Sequence, residues 1–159
     1  MDLSDLQILL SAARGRRVAC VGDLMVDRFV HGRVSRLSAE APVPILARTE
    51  ESVMLGGAGN VGRYGAALRR VAVLVDVVGE DAVAGEARAC IAEAEGLESL
   101  LAVEPGRPTS LKTRFVAAGQ QLLRVDHEQV APVAPETEAA LAAAVRAAAK
   151  DAGAILLSD

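Results

Sequence analysis

Tryptophan is absent, aromatic residues of all kinds make up 2% of the chain, and only two cysteines occur in 159 residues. Each scarcity removes a class of function. Without rings there is no platform on which single-stranded nucleic acid could stack. Cys20 and Cys90 lie far apart and match no metal-ligand spacing, so a disulfide scaffold and a zinc module are both excluded, and two core thiols in a reduced compartment are expected. Basic residues are outnumbered, 17 Lys and Arg against 21 Asp and Glu, and the net charge of −4 leaves no basic stripe for nucleic acid. No apolar run approaches the ~20 residues of a membrane span. The opening MDLSDLQILLSAARGRR puts acids before its apolar stretch and arginines after it, the reverse of a secretory leader. A cytoplasmic protein with no nucleic-acid or membrane partner is the expectation.

What is present is a 52% apolar, 24% charged chain in which alanine supplies about a fifth of the residues, the balance of a globular protein with a core of its own. Ser4 can cap a first helix running to about Ala13 and closed by Gly15. Arg17–Val21 reads as a short buried strand ending at Gly22-Asp23. From Val30 to Leu55, short apolar stretches alternate with polar residues and suit strands with one wet face. Val71–Val78 is an almost unbroken apolar run, the mark of a central parallel strand. Asp81 opens a helix ending at Gly96, and Leu100–Val103 is a weak strand. Ser110–Ala117 and Gln121–Asp126 form a hairpin turning near Gly119. Pro135 and Thr137 open an Ala-rich helix, and Ala154–Leu157 is a last buried strand. Strand and helix alternate, so the class is α/β; segments 30–55 and 110–126 fit the parallel sheet poorly and read as a separate β-flap over a site.

Gly57-Ala58-Gly59-Asn60-Val61-Gly62 matches the G-x-G-x-x-G dinucleotide fingerprint, with Asp76 where a ribose-binding acid would stand. Two features oppose that reading. The preceding Arg48-Thr49-Glu50-Glu51-Ser52 is too polar for a central strand, and Asp76 sits within an apolar run, not at its end. What Gly56 and Gly57 do support is close approach of backbone amides to a small ligand. Asn60 adds a donor and an acceptor on the same side.

Several segments in order carry a family resemblance. Val21-Gly22-Asp23-Leu24-Met25-Val26-Asp27-Arg28 is similar to the opening strand and turn of ribokinase-like carbohydrate kinases. The run from Val34 to Pro44 resembles, within them, the kinases of heptose 7-phosphate, including the kinase half of the bifunctional heptose kinase/adenylyltransferase. Gly56 to Val61, Val78 to Asp81, Lys112-Thr113-Arg114 and Gln120 to Asp126 follow in the family's order. The helix after the glycines departs from the pattern at Gly62-Arg63-Tyr64-Gly65 and at its exit, Arg69-Arg70. The stretch from Val116 to Gly119 also lacks the polar residues usual there.

The resemblance implies a three-layer α/β/α ribokinase-like sheet with a small β-flap or lid, of which residues 1–159 would be the N-terminal portion, truncated before the nucleotide-binding part. It implies an ATP- and Mg2+-dependent phosphoryl transfer to the anomeric hydroxyl of a heptose 7-phosphate, toward lipopolysaccharide core heptose. Asp27, and less so Asp23, would hold sugar hydroxyls, with Gly56, Gly57 and Asn60 beside them. A substrate that already carries phosphate needs cations, and Lys112, Arg114 and Arg124 on the hairpin are the candidates, with Gln121 as a sugar contact. The catalytic base is expected beyond Asp159, so no catalytic or metal-ligating residue is assigned here. Arg36, Glu40, His31 and His127 read as surface residues. A homodimer through the flap is implied. A ribokinase-like kinase with another acceptor, and a non-catalytic sugar-binding or dimerisation module, remain open.

Overall fold

The computed structural model describes residues 2–5, 7, 15–67 and 71–158. The first helix expected over Ser4–Ala13 lies mostly outside them, as do Arg69, Arg70 and Asp159. At its described start the cap is Asp2, whose Oδ1 accepts the Ser4 amide at 2.8 Å and the Asp5 amide at 2.9 Å, and not Ser4.

Among the described residues the chain forms two four-stranded sheets. The first is parallel and is built from β1 (Arg17–Gly22), β4 (Ala72–Val78), β5 (Leu97–Val103) and β8 (Ala152–Ser158), in the order β5-β4-β1-β8. Its two central strands alternate between two cores. Cys20, Ala72 and Leu74 face helices α1 (Ala58–Ala67) and α2 (Ala82–Glu93), meeting Ala58, Ala66, Ala84, Ala87 and Ile91. Ala19, Val73 and Val75 face α3 (Pro135–Asp151), meeting Leu141, Ala144, Val145 and Ala148. Small alanines on the helices let them lie close to β-branched strand residues, and this is how so few aromatics fill three layers. Both thiols are free, Cys20 buried in the first core and Cys90 half-buried; desolvation raises the pKa of each.

The second sheet is the flap, in the order β3-β2-β6-β7, from β2 (Leu24–Leu37), β3 (Pro44–Gly57), β6 (Leu111–Ala117) and β7 (Gln120–His127). It begins earlier than the polar pattern suggests. Leu24–Val30 belongs to a 14-residue strand paired antiparallel with β3 and parallel with β6. Arg28 explains the misreading: its charge is met at long range by Glu86 on α2, at 2.6 Å, and by Glu51 on β3, at 3.4 Å. The β6–β7 hairpin turns at Ala118 and Gly119, both at positive φ (49° and 78°), as a two-residue turn matching the strand twist requires. The strand expected at Leu100 starts at Leu97.

The last strand departs from the expectation that it is buried. The segment 154–157 is not buried: Ile155, Leu156 and Leu157 are exposed. β8 is an edge strand with β1 on one side, and α3 covers it only in part.

The Val78-to-Asp81 segment is a clasp. Asp81 caps α2 by accepting the Ala84 amide at 2.8 Å, and its other oxygen accepts the Thr109 amide at 2.8 Å. The buried Thr109 hydroxyl in turn accepts the Gly79 amide at 2.9 Å. Desolvation works against the Asp81 carboxylate, but these amide donors outweigh it and hold its pKa below the usual value. The clasp fixes the loop that delivers β6 to the flap. Thr109→Val strands the buried Gly79 N–H and is expected to cost about 1–3 kcal/mol in urea unfolding. Thr109→Ser, which keeps the hydroxyl, should recover most of that loss; equal stability of wild type and Thr109→Val would contradict the clasp.

Candidate functional site on the flap

Side chains of directly paired strand residues share a face, and register therefore decides which candidates meet. Asp27 lies beside Lys112, Phe29 beside Arg114, Arg114 opposite Arg124, and Lys112 opposite Asp126. Gly56 is opposite Met25, two residues before Asp27. Asp27, Gly56, Lys112, Arg114 and Arg124 thus lie on one face of the flap. The other face carries Val26 and Leu55 into the core.

The centre of this row is an ion pair. Arg114 Nη1 donates to Asp27 Oδ1 at 2.5 Å, with its guanidinium 5.2 Å from the centre of the Phe29 ring. Both partners are about four-fifths shielded, so the contact is less screened than a surface pair. Asp27 Oδ2 rests against Gly56: a Cβ there would stand 2.5 Å from that oxygen and 2.8 Å from Met25 Cγ. Glycine is needed because a carboxylate lies flat over the strand. Asp27 is therefore a mid-strand residue and not the turn residue that the sequence suggests.

The remaining cations are compensated too. Lys112 Nζ is 3.1 Å from Glu128 and 3.4 Å from Asp126, and the Glu128 hydrogen bond is the main cause that raises the lysine pKa. Arg124 Nε is 2.9 Å from Asp126. Three cations and three carboxylates thus form two groups of charge-assisted bonds on the face, Asp27 with Arg114, and Arg124, Asp126, Lys112 and Glu128 in sequence. Gln121 is exposed opposite Val116, beyond a register shift, at the outer end of the hairpin.

Gly57 and Asn60 play other parts. Gly57, at φ +54°, turns β3 into α1, and a Cβ on it would collide with the Asp23 carbonyl. That carbonyl accepts the Ala58 amide at 2.9 Å, at the helix start. A Cβ on Gly59 would strike Leu24 and Leu55, and one on Gly62 would reach Leu97. Turn and packing therefore account for the glycines of the apparent dinucleotide fingerprint, and the strand before it is a flap strand. Asn60 is on the first turn of α1, where its Oδ1 accepts from Arg63 at 3.1 Å. Neither residue lies on the Asp27 face.

A cleft of about 430 Å3 opens beside the row, lined among others by Asp23, Met25, Asp76, Arg107, Ser110 and Glu128. Met25 shares the Asp27 face and Glu128 is the Lys112 partner, so cleft and row abut. Sequence reasoning missed Arg107, which donates to the Gln129, Ala131 and Pro132 carbonyls and pairs with Glu104. Nothing in its own neighbourhood signals those long-range acceptors. It missed Glu128 as well, for the same reason. The signal for Asp76 was present, as an acid inside an apolar strand. Among the described residues no group of three His, Cys, Asp or Glu side chains could hold a metal ion, so none is assigned to magnesium. No described helix is long and apolar enough to cross a membrane.

Solved structures share this fold. Ribokinase from Giardia lamblia superposes with a TM-score of 0.64 at 19% identity, covering 89% of this chain and 44% of that one. The fold is ribokinase-like. A second ribokinase-like structure, Arabidopsis thaliana ribokinase complexed with ribose and ATP, gives 0.60 at 18% identity over 90% of this chain and 45% of that one. No protein-family model matches the chain. In sequence it is 47% identical over 156 residues, 98% of its length, to the bifunctional protein HldE of Hyphomonas neptunium. The chain spans about a third of the length of the curated relatives it matches. The curated relatives it resembles in sequence are bifunctional HldE proteins, and its fold is that of ribokinase-like structures.

The Asp27–Arg114 pair should show a coupling of about 1–2 kcal/mol in a double-mutant unfolding cycle with Asp27→Ala and Arg114→Ala, between the values of exposed pairs and buried charged hydrogen bonds. Repeated in a Gly56→Ala background, the coupling should fall toward zero because the added methyl displaces the carboxylate. An unchanged coupling there would show that Gly56 does not shape the site.

Proposed function

We propose that the Asp27 face of the flap binds the acceptor sugar of a kinase, a heptose 7-phosphate phosphorylated at its anomeric hydroxyl to the 1,7-bisphosphate. The observation that carries this reading is the Asp27 carboxylate, seated over Gly56 and held at one oxygen by Arg114. Such a carboxylate keeps lone pairs for sugar hydroxyls, each charge-assisted contact contributing roughly 1.5–3 kcal/mol. Sugar recognition also wants a rigid carboxylate, and Arg114 stacked on Phe29 supplies that rigidity.

The phosphate already on the substrate meets the cations. Lys112 and Arg124 exchange their contacts with Asp126 and Glu128 for the phosphate oxygens, and Arg124, about half exposed, is the first to do so. The row is neutral without ligand, with three positive and three negative groups, so exchange costs less than desolvating free cations would. Gly57, Asn60 and Gln121 contribute at the margins, through backbone shape and the outer hairpin. In the transfer itself, the γ-phosphoryl group of ATP goes to the anomeric oxygen, ADP leaves, and the hydroxyl proton passes to a base. This chain's own share is binding and orienting the acceptor. The nucleotide, its magnesium and the base are not assigned to residues described here. Self-association through the flap belongs to the same proposal: β7 is an open edge, and Leu122, Leu123 and Val125 on it are exposed.

Calorimetric titration of the 159-residue chain tests the reading with heptose 7-phosphate, the unphosphorylated heptose, fructose 6-phosphate and ribose. Heptose 7-phosphate should bind most tightly. Asp27→Ala should weaken it by roughly tenfold or more, and Lys112→Ala should weaken only the phosphorylated sugars. Tighter binding of fructose 6-phosphate would favour a kinase with a different acceptor. Binding that ignores Asp27→Ala would remove the site.

A further inference from the structure

A single residue, Asp23, separates the last residue of β1 from the first of β2, so the relation between parallel sheet and flap is set within a few bonds. Asp23 N–H donates to the Ser158 carbonyl at 3.2 Å, and the Asp23 carbonyl accepts the Ala58 amide. Val26 N–H donates to the Ser110 carbonyl at 2.8 Å. Leu24, the first residue of the flap, donates its amide to the carboxylate of Asp76. Among the described bonds at this junction, that is the one whose acceptor is a side chain. It is also the one whose strength depends on a proton.

Resting on the reading of Asp27 as a sugar ligand, we propose that Asp76 is a positioning residue for it. By holding the Leu24 amide, Asp76 anchors the start of the strand on which Asp27 is the fourth residue. Asp76 is in β4, on the same face as Leu74 and Val78, and reaches the junction from beneath. The mechanism proposed above does not use it, and the buried strand gives it no other described side-chain partner. An ionised carboxylate accepts an amide roughly twice as strongly as a neutral group, so the anchor tightens when Asp76 loses its proton.

The groups facing Asp76 place this change near neutrality. Burial raises its pKa from 3.8 to about 7, with the Leu24 and Val77 amides opposing, the Asp23 charge adding to the rise, and Arg107 lowering it again. Glu128 lines the same cleft. The sign follows directly. Between about pH 4 and pH 7 the folded chain holds a proton that the unfolded chain has lost, so stability falls as pH rises through that window. Above it, the ionised anchor holds β2 more firmly in a less stable protein. Asp76 thus trades stability for position.

The direct test needs no ligand. In 15N-resolved NMR of the chain, the Leu24 amide proton should titrate with a midpoint near pH 7. In Asp76→Asn, which keeps a neutral acceptor, that titration should vanish while the fold is retained. A second arm measures heptose 7-phosphate affinity. Wild-type affinity should rise between pH 6 and pH 8, Asp76→Asn should be flat, and Asp76→Leu should be weaker than wild type by about tenfold at pH 8. A Leu24 amide that does not titrate, or titrates identically in Asp76→Asn, overturns the inference and leaves the sugar-site reading standing. Loss of binding to wild type at every pH instead counts against the sugar-site reading, while the amide titration still decides the role of Asp76.

Discussion

Every feature of this molecule that bears on ligand binding depends on how one sheet hands its chain to another at Asp23. The parallel sheet needs both faces covered, and α1, α2 and α3 cover its central strands. The flap needs one face buried and one free. Both requirements are met only if β2 leaves β1 at once, with Val26 turned into the first core and Asp27 turned away from it. The bonds to Ser158, Ala58 and Asp76 fix that departure. Gly57 is required at the same place, because the returning strand β3 must start α1 against the Asp23 carbonyl. A one-residue slip here would exchange the two faces of β2 and send Asp27 into the core.

From that constraint the site follows by register alone. Parallel pairing of β2 with β6 sets Asp27 and Phe29 beside Lys112 and Arg114, and the β6–β7 hairpin adds Arg124 and Asp126 opposite. Two segments distant in sequence, β2 and the β6–β7 hairpin, thereby contribute one polar face. Its charges are matched, three cations against three carboxylates. The clasp of Asp81, Thr109 and Gly79 does for β6 what the Asp23 junction does for β2. β2 and β6 are thus each fixed at the end next to the cleft.

Much of the body was legible in the sequence, for physical reasons. Buried parallel strands are apolar on both faces, so Val71–Val78 identified itself. Ala118-Gly119 is a turn because its neighbours alternate and glycine accepts positive φ. The flap was legible as a separate layer but not in its extent. Asp27 and Arg28 read as turn residues because their charges are satisfied by Arg114 and Glu86, each more than fifty residues away. β8 read as buried because its composition is apolar, yet its place in the sheet is an edge. Of the eight candidate site residues, Lys112, Arg114 and Arg124 were legible as a hairpin set, and only the pairing of β2 with β3 and β6 brings Asp27 and Gly56 to their face. Gly57 falls on the other face, opposite Leu24, and its left-handed backbone turns the chain into the helix that carries Asn60 away. Gln121 is set opposite Val116, at the outer end of the hairpin, by a register shift that no local pattern announces.

The central claim is that the Asp27 face of the flap is where the acceptor sugar binds, and chemical-shift mapping of the 159-residue chain with added heptose 7-phosphate tests it most directly. The amides of Asp27, Gly56, Lys112 and Arg114 should move together and saturate together, with the Arg114 and Arg124 guanidinium signals following. Perturbation confined to α3 and β8, or none at all at millimolar sugar phosphate, would contradict it.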